Sequence, residues 1–129
     1  MSLTELPLII LAENNEANIK TISIYLQAKG FRVVVARNGR EAVEQAHRLN
    51  PNLILMDIHM PEMDGLTATR ELRRRTNFSD IPIIALTALA MPGDREKCLE
   101  AGASDYLSKP VSLQRLVEVI EAHLAKHPG

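Results

Sequence analysis

Five polar residues in this 129-residue chain follow on short apolar runs. Glu13 and Asn14 come after Leu8–Ala12, Asp57 after Leu53–Met56, Thr87 after Ile83–Leu86, and Lys109, followed by Pro110, after Asp105–Leu107. If the runs are neighbouring parallel strands, all five residues meet at the carboxyl edge of one sheet, where open α/β sheets gather their ligands. An acid pair, a hydroxyl and an ammonium group make a small site for a phosphoryl group with a divalent cation.

The runs that must position these groups do not alternate with polar residues, which predicts strands covered on both faces. Val33–Ala36 is a further run of this kind, and Asp105–Leu107 is the weakest, resting on its place between two helix-like segments. Between them lie segments of helical period. Ile19, Ile22 and Leu26 share a face that Gly30 is placed to end. Glu41 to Leu49 carries Ala42, Val43, Ala46 and Leu49. Leu66 to Arg74 carries Leu66, Thr69 and Leu72 above the run Arg73-Arg74-Arg75, expected in solvent, with Asp64-Gly65 capping and opening the helix. Pro92 is expected to open a helix that Gly102 closes. In the last segment Leu113, Leu116, Val117, Ile120 and Leu124 form one stripe behind an N-cap at Ser112. The order βαβαβαβαβα implies a parallel sheet with right-handed crossovers and helices on both faces.

Length and a hydrophobic content of 46% suit one domain over residues 1–129, with a core from about 6 to 125 and short polar tails at each end, Met1-Ser2-Leu3 and Lys126-His127-Pro128-Gly129. A formal net charge of -1 lacks the broad positive field that non-specific nucleic-acid or anionic-membrane binding needs, so a partner is chosen by a local surface. The single Cys98 forms no internal disulfide and reads as a buried small hydrophobe in a helix. No run is long or apolar enough for a membrane span or a signal-peptide core, which points to a reducing, cytoplasmic setting. Six singly placed glycines form neither a dinucleotide fingerprint nor a P-loop. His47, His59, His123 and His127 are scattered, against a zinc site, and one helix after the fifth strand leaves no element for DNA binding.

Glu13-Asn14-Asn15, Met56 to Gly65 (MDIHMPEMDG), Ala85-Leu86-Thr87-Ala88 and Asp105 to Pro110 (DYLSKP) together resemble the motifs of response-regulator receiver domains, in order and over nearly the whole chain. The wording is nearest to receivers attached to hybrid sensor kinases. The resemblance implies a doubly wound, flavodoxin-like fold with strand order 2-1-3-4-5 and five helices. It implies that Asp57 accepts a phosphoryl group from a phosphohistidine on a histidine kinase or histidine phosphotransfer domain. By the same carry-over, Glu13, Asn14, Asp57 and the backbone carbonyl of His59 surround Mg²⁺, directly or through its waters. Lys109 pairs with the phosphoryl oxygens, aimed by a cis Lys109–Pro110 bond, while Thr87 swings in to hydrogen-bond one of them. Tyr106 turns into the space Thr87 leaves, although half-buried aromatic packing explains a Tyr there equally well. An output domain or downstream protein reads the change on the surface of the fourth helix, fifth strand and fifth helix. Lys109 itself is expected at the solvent edge rather than packed in the core.

Position 14 departs from the family, which usually places two acids after the first strand. An Asn carbonyl still ligates Mg²⁺ but brings no charge, so the ion should bind more weakly than beside an Asp. Two readings compete: an active receiver with a weakened metal site, or a receiver-like docking module with impaired phosphorylation. Retention of Asp57, Thr87 and Lys109 favours the first. If metal affinity does not limit phosphorylation, access around His59 and Leu89 is the next determinant. An Asp-nucleophile phosphatase of the haloacid-dehalogenase type needs a second acid where this chain has His59, and the acidic loop Glu13 to Glu16 would repel a flavin phosphate.

Overall fold

The computed structural model describes residues 6–75, 78, 80–88 and 92–126. Met1-Ser2-Leu3, Leu89 and residues 127–129 of the expected C-terminal tail lie outside the described residues, whereas Lys126, expected in that tail, ends the last helix. Ten elements alternate along the chain: β1 (Leu8–Ala12), α1 (Glu16–Ala28), β2 (Arg32–Ala36), α2 (Gly39–Leu49), β3 (Leu53–Asp57), α3 (Gly65–Arg73), β4 (Ile83–Thr87), α4 (Asp94–Ala101), β5 (Asp105–Ser108) and α5 (Leu113–Lys126). The strands form one parallel sheet in the order β2-β1-β3-β4-β5. This is the doubly wound, flavodoxin-like arrangement expected.

Period-two side-chain alternation divides the core into layers. Ile9, Leu11, Leu53, Leu55, Ile84 and Leu86 face one way, onto Ile22 and Leu26 of α1 and Leu116 and Ile120 of α5. Ile10, Ala12, Ile54, Met56 and Ile83 face the other, onto Ala42, Val43 and Ala46 of α2 and Ala68 and Leu72 of α3. A smaller cluster of Ile58, Ala85, Cys98 and Ala103 lies under α4, with Leu66 and Tyr106 packed against it. Cys98 is therefore the buried hydrophobe that its helical setting suggested.

Four local expectations need correction. Val33, Val34 and Val35 are only half-buried, because β2 is an edge strand with a neighbour on one side alone. The fourth helix starts at Asp94 rather than Pro92, since Gly93 at φ +93° takes the N-cap position and Pro92 stays in the preceding turn. Gly102 does close it, in the left-handed region. On α5 the stripe is shifted: Val119 and His123 are buried with Leu116, Val117 and Ile120, whereas Leu113 and Leu124 are partly exposed. Finally, Arg73 is not solvated. Its guanidinium donates to the carbonyls of Gly102 at 2.8 Å and Phe78 at 2.7 Å and to Ser104 Oγ at 3.1 Å, which ties the end of α3 to the α4–β5 turn.

Two close approaches fix the segment after β3, one against the end of β3 and one against the start of α2. A Cβ at Gly65 would stand 2.2 Å from the Asp57 carbonyl oxygen, and one at Gly39 would stand 2.2 Å from the Met63 carbonyl oxygen. With glycine at both, Gly65 N–H reaches the Ile58 carbonyl at 3.0 Å and Gly39 N–H reaches the Met63 carbonyl at 2.8 Å. The start of α3 is thereby pressed onto the end of β3. Asp64 caps that helix, its Oδ1 accepting from Thr67 N–H at 2.8 Å.

Candidate functional site at the carboxyl edge of the sheet

Because the strands are parallel and in register, their final residues come to one edge. Asp57 ends β3 beside Leu86 of β4, and Thr87 ends β4 beside Ser108 of β5. Glu13 follows β1, its backbone N–H bonded to the Ala36 carbonyl at 2.9 Å, and Lys109 follows β5, its backbone N–H bonded to the Thr87 carbonyl at 2.7 Å. The Lys109–Pro110 peptide bond is cis, as the resemblance implied.

The Lys109 ammonium joins the two acids. Nζ donates to Glu13 Oε1 at 2.7 Å and to Asp57 Oδ2 at 2.9 Å. Glu13 is 1% exposed and Asp57 3%, while the lysine side chain is 18% exposed. Lys109 is thus clamped between buried carboxylates and does not stand at the solvent edge, a correction that follows from the opposite charges it finds there. The remaining oxygens are also served. Asp57 Oδ1 accepts from His59 N–H at 3.0 Å. Glu13 Oε2 accepts from the N–H groups of Asn14 at 3.2 Å and Asn15 at 3.3 Å, and Oε1 takes a further bond from Asn18 Nδ2 at 3.4 Å.

Burial and the neighbouring Glu13 push the Asp57 carboxyl above its ordinary range, against the pull of Lys109 and the His59 N–H. Burial acts on Glu13 in the same direction, but its bonds with Asp57, Lys109 and backbone N–H groups outweigh this and hold it below the usual range. Lys109 loses solvation by burial, yet the two carboxylates keep its proton more firmly than usual.

The other expected residues are placed as follows. Thr87 is buried at the edge beside Lys109. Asn14 is exposed, and lines with His59, Met60, Pro61, Asp64 and Leu66 a cleft of about 420 Å³ next to the acids. The His59 side chain is likewise exposed. Tyr106 is half-buried against the Ile58–Ala85–Cys98–Ala103 cluster, its hydroxyl accepting from the Ser108 hydroxyl at 3.4 Å. It is therefore packed as a half-buried aromatic in this structure.

The oxygen donors here can be tested against a divalent ion. Among the described residues no group of three or more His, Cys, Asp or Glu assembles as a metal cluster. An ion at this edge would meet two carboxylates, an amide oxygen and backbone carbonyls, and would keep water in its remaining positions. That set fits Mg²⁺, which is hard and gives up its water reluctantly, and does not fit zinc.

Sequence reasoning missed three contacts. Asn18 reaches Glu13 from the first turn of α1, where Asn15 is the N-cap accepting from Asn18 N–H at 3.0 Å. The Asn-x-x-Asn spacing at a helix start was the available signal. His59 N–H on Asp57 and His123 Nε2 on Asp105 Oδ2 at 3.0 Å depend on how loop and helix fold back, and left no local mark.

The profile of the response regulator receiver domain family matches residues 9–121. The polar-differentiation response regulator DivK of Brucella anthropi is 40% identical over 116 residues, covering 90% of this chain and 94% of its own length. The receiver domain of a sensor histidine kinase from Pseudomonas aeruginosa, solved with a magnesium ion coordinated in its active-site cleft, shares 42% identity and a TM-score of 0.87 over 93% of this chain and 98% of its own. The signal receiver domain of a signal transduction histidine kinase from Syntrophus aciditrophicus shares 33% identity and a TM-score of 0.87 over 93% of this chain and 91% of its own. The chain belongs to the response regulator receiver domain family. Its function is that of a receiver in two-component signalling, a phosphoacceptor domain rather than a classical enzyme. Among the described residues no helix is long and apolar enough to cross a membrane.

Proposed function

We propose that Asp57 is the phosphoacceptor and that a phosphohistidine on a histidine kinase or histidine phosphotransfer domain is the donor. One carboxylate oxygen attacks phosphorus, the P–N bond breaks with its electron pair going to the imidazole nitrogen, which takes a proton from water as it leaves, and an acyl phosphate forms. The observation that carries this reading is the Lys109 ammonium held at 2.7 Å from Glu13 and 2.9 Å from Asp57 at the carboxyl edge of the sheet. A cation already in contact with the nucleophile is placed to follow the charge as it moves onto phosphoryl oxygens.

Glu13, Asn14, Asp57 and the His59 carbonyl would hold Mg²⁺, as the oxygen donor set allows. When bound, the ion neutralises charge on the transferring group. Lys109, backed by Pro110, would pair with the phosphoryl oxygens, and the Thr87 hydroxyl would turn to one of them, leaving space for Tyr106. The inward arrangement must exist as a minor state that the phosphoryl group binds better. Shifting a population from 1:99 to 99:1 takes a preference of about 5.5 kcal/mol. The readout surface is α4, β5 and α5, where Tyr106 sits, and a downstream protein or output domain would bind there.

Incubation with acetyl phosphate or phosphoramidate and Mg²⁺, followed by intact-mass measurement, tests the reading. One phosphoryl group should add to the wild type and none to Asp57→Asn. No adduct at any Mg²⁺ concentration would leave a docking module that has lost phosphorylation.

A further inference from the structure

Glu13 Oε1 lies in an almost wholly buried side chain and has two donors, Lys109 Nζ at 2.7 Å and Asn18 Nδ2 at 3.4 Å. Oε2 is served separately, by the N–H groups of Asn14 and Asn15. The ammonium on Oε1 is shared with Asp57. Resting on the phosphoacceptor reading above, a phosphoryl group on Asp57 draws Nζ toward its own oxygens, and what Lys109 gives there it withdraws from Glu13. Glu13 Oε1 then keeps Asn18 Nδ2 as its one protein donor, beside any ion that Glu13 helps to hold, and a buried carboxylate oxygen short of donors costs more than an ordinary hydrogen bond returns.

Asn18 is the donor already directed at that oxygen. Its backbone is set independently of Lys109 by the Asn15 cap at 3.0 Å, in the first turn of α1. Asn18 lines a groove with Ala17, Thr21, Lys109 and Pro110. An amide is also the right chemistry for the place. An Asp would add charge and remove the donor, and a second cation would compete with a divalent ion for Glu13.

We propose that Asn18 is a positioning residue that takes over Glu13 Oε1 when Lys109 turns to the phosphoryl group. The long contact of the resting domain shortens in the phosphorylated one, and Glu13 keeps its orientation although its ionic partner has moved. Asn18 touches neither the phosphorus nor its oxygens. Its effect is therefore small in the resting domain, where the contact is long, and larger in the loaded one.

Beryllofluoride with Mg²⁺, a stand-in for the acyl phosphate, provides the test. In the wild type the Asn18 side-chain amide signals should move downfield on its addition. Asn18→Leu, similar in size and without a donor, should melt within a few degrees of wild type without ligand, yet bind beryllofluoride about tenfold more weakly. Asn18→Gln, which keeps the donor on a longer arm, should recover part of that loss. Equal beryllofluoride affinity in Asn18→Leu, unmoved amide signals, or a loss of ligand-free stability with unchanged affinity would overturn the proposal. Failure of the wild type to take up either beryllofluoride or phosphoryl groups from acetyl phosphate would instead remove the phosphoacceptor reading beneath it.

Discussion

Lys109→Ala removes the one ammonium bonded to both Glu13 and Asp57 and leaves their carboxylates facing each other, at 1% and 3% exposure. Breaking a buried ion pair by deleting one partner typically costs about 3–5 kcal/mol. An independent bound comes from proton uptake, since the variant escapes the repulsion by protonating one acid. At pH 7.5 this costs an ordinary carboxyl with a pKa near 4 about 5 kcal/mol, and at pH 5 about 1.4 kcal/mol. The variant should therefore be less stable than wild type by about 3–5 kcal/mol at pH 7.5, and the gap should close to about 1–2 kcal/mol at pH 5. Saturating Mg²⁺ should also narrow the gap, because it replaces the missing cation. Urea unfolding at both pH values, with and without Mg²⁺, measures all four quantities. A loss of stability equal at the two pH values and indifferent to Mg²⁺ would refute the charge argument and assign the effect to packing of the lysine stem. No loss at all would return Lys109 to the solvent edge.

Asn14→Asp adds a charge beside the acids and should tighten Mg²⁺ about tenfold, at a cost of under about 1 kcal/mol in metal-free stability near neutral pH. Calorimetric Mg²⁺ titration checks this, and an unchanged affinity would show that position 14 does not tune the site. Gly65→Ala should destabilise the domain by about 1–3 kcal/mol, because its Cβ would meet the Asp57 carbonyl at 2.2 Å. A wild-type melting temperature would count against the pinning of α3 onto β3. Burial pushes Asp105 up, but the His123 hydrogen bond and the other groups that draw it down prevail and hold its carboxyl below the ordinary range. Its contribution is therefore present above the unfolded pKa near 4 and is lost as pH falls through the lower folded value. His123→Ala should reduce that acid-side loss without abolishing it, by no more than about 1 kcal/mol for so exposed a partner, in melting curves between pH 2 and 6.

The central strands were legible because a strand buried on both faces must be apolar at successive positions, and β1, β3 and β4 are. Val33 to Val35 read the same way but belong to an edge strand, whose place depends on pairing that no local pattern records. The start of α4 was misplaced because its sequence, DREKCLEA, has little apolar stripe to set the phase, and because Gly93 caps it from a left-handed conformation. Arg73-Arg74-Arg75 looks like one solvated run, yet Arg73 reaches the Gly102 carbonyl of the α4–β5 turn. At the site, residue types and strand ends sufficed to bring Glu13, Asp57, Thr87 and Lys109 together. What stayed hidden was the layer set by loop paths and shared donors: His59 N–H on Asp57, Asn18 on Glu13, and one ammonium serving two acids.

The most direct test of the central claim identifies the residue that carries the phosphoryl group. The domain is incubated with acetyl phosphate and Mg²⁺, reduced with borohydride, digested and sequenced by mass spectrometry. An acyl phosphate at Asp57 is reduced to an alcohol, so position 57 should appear as homoserine, only when both donor and Mg²⁺ were present. Homoserine at any other aspartate, the reduction product of a glutamyl phosphate at Glu13, or an unmodified position 57 despite incorporated phosphoryl groups would contradict the assignment.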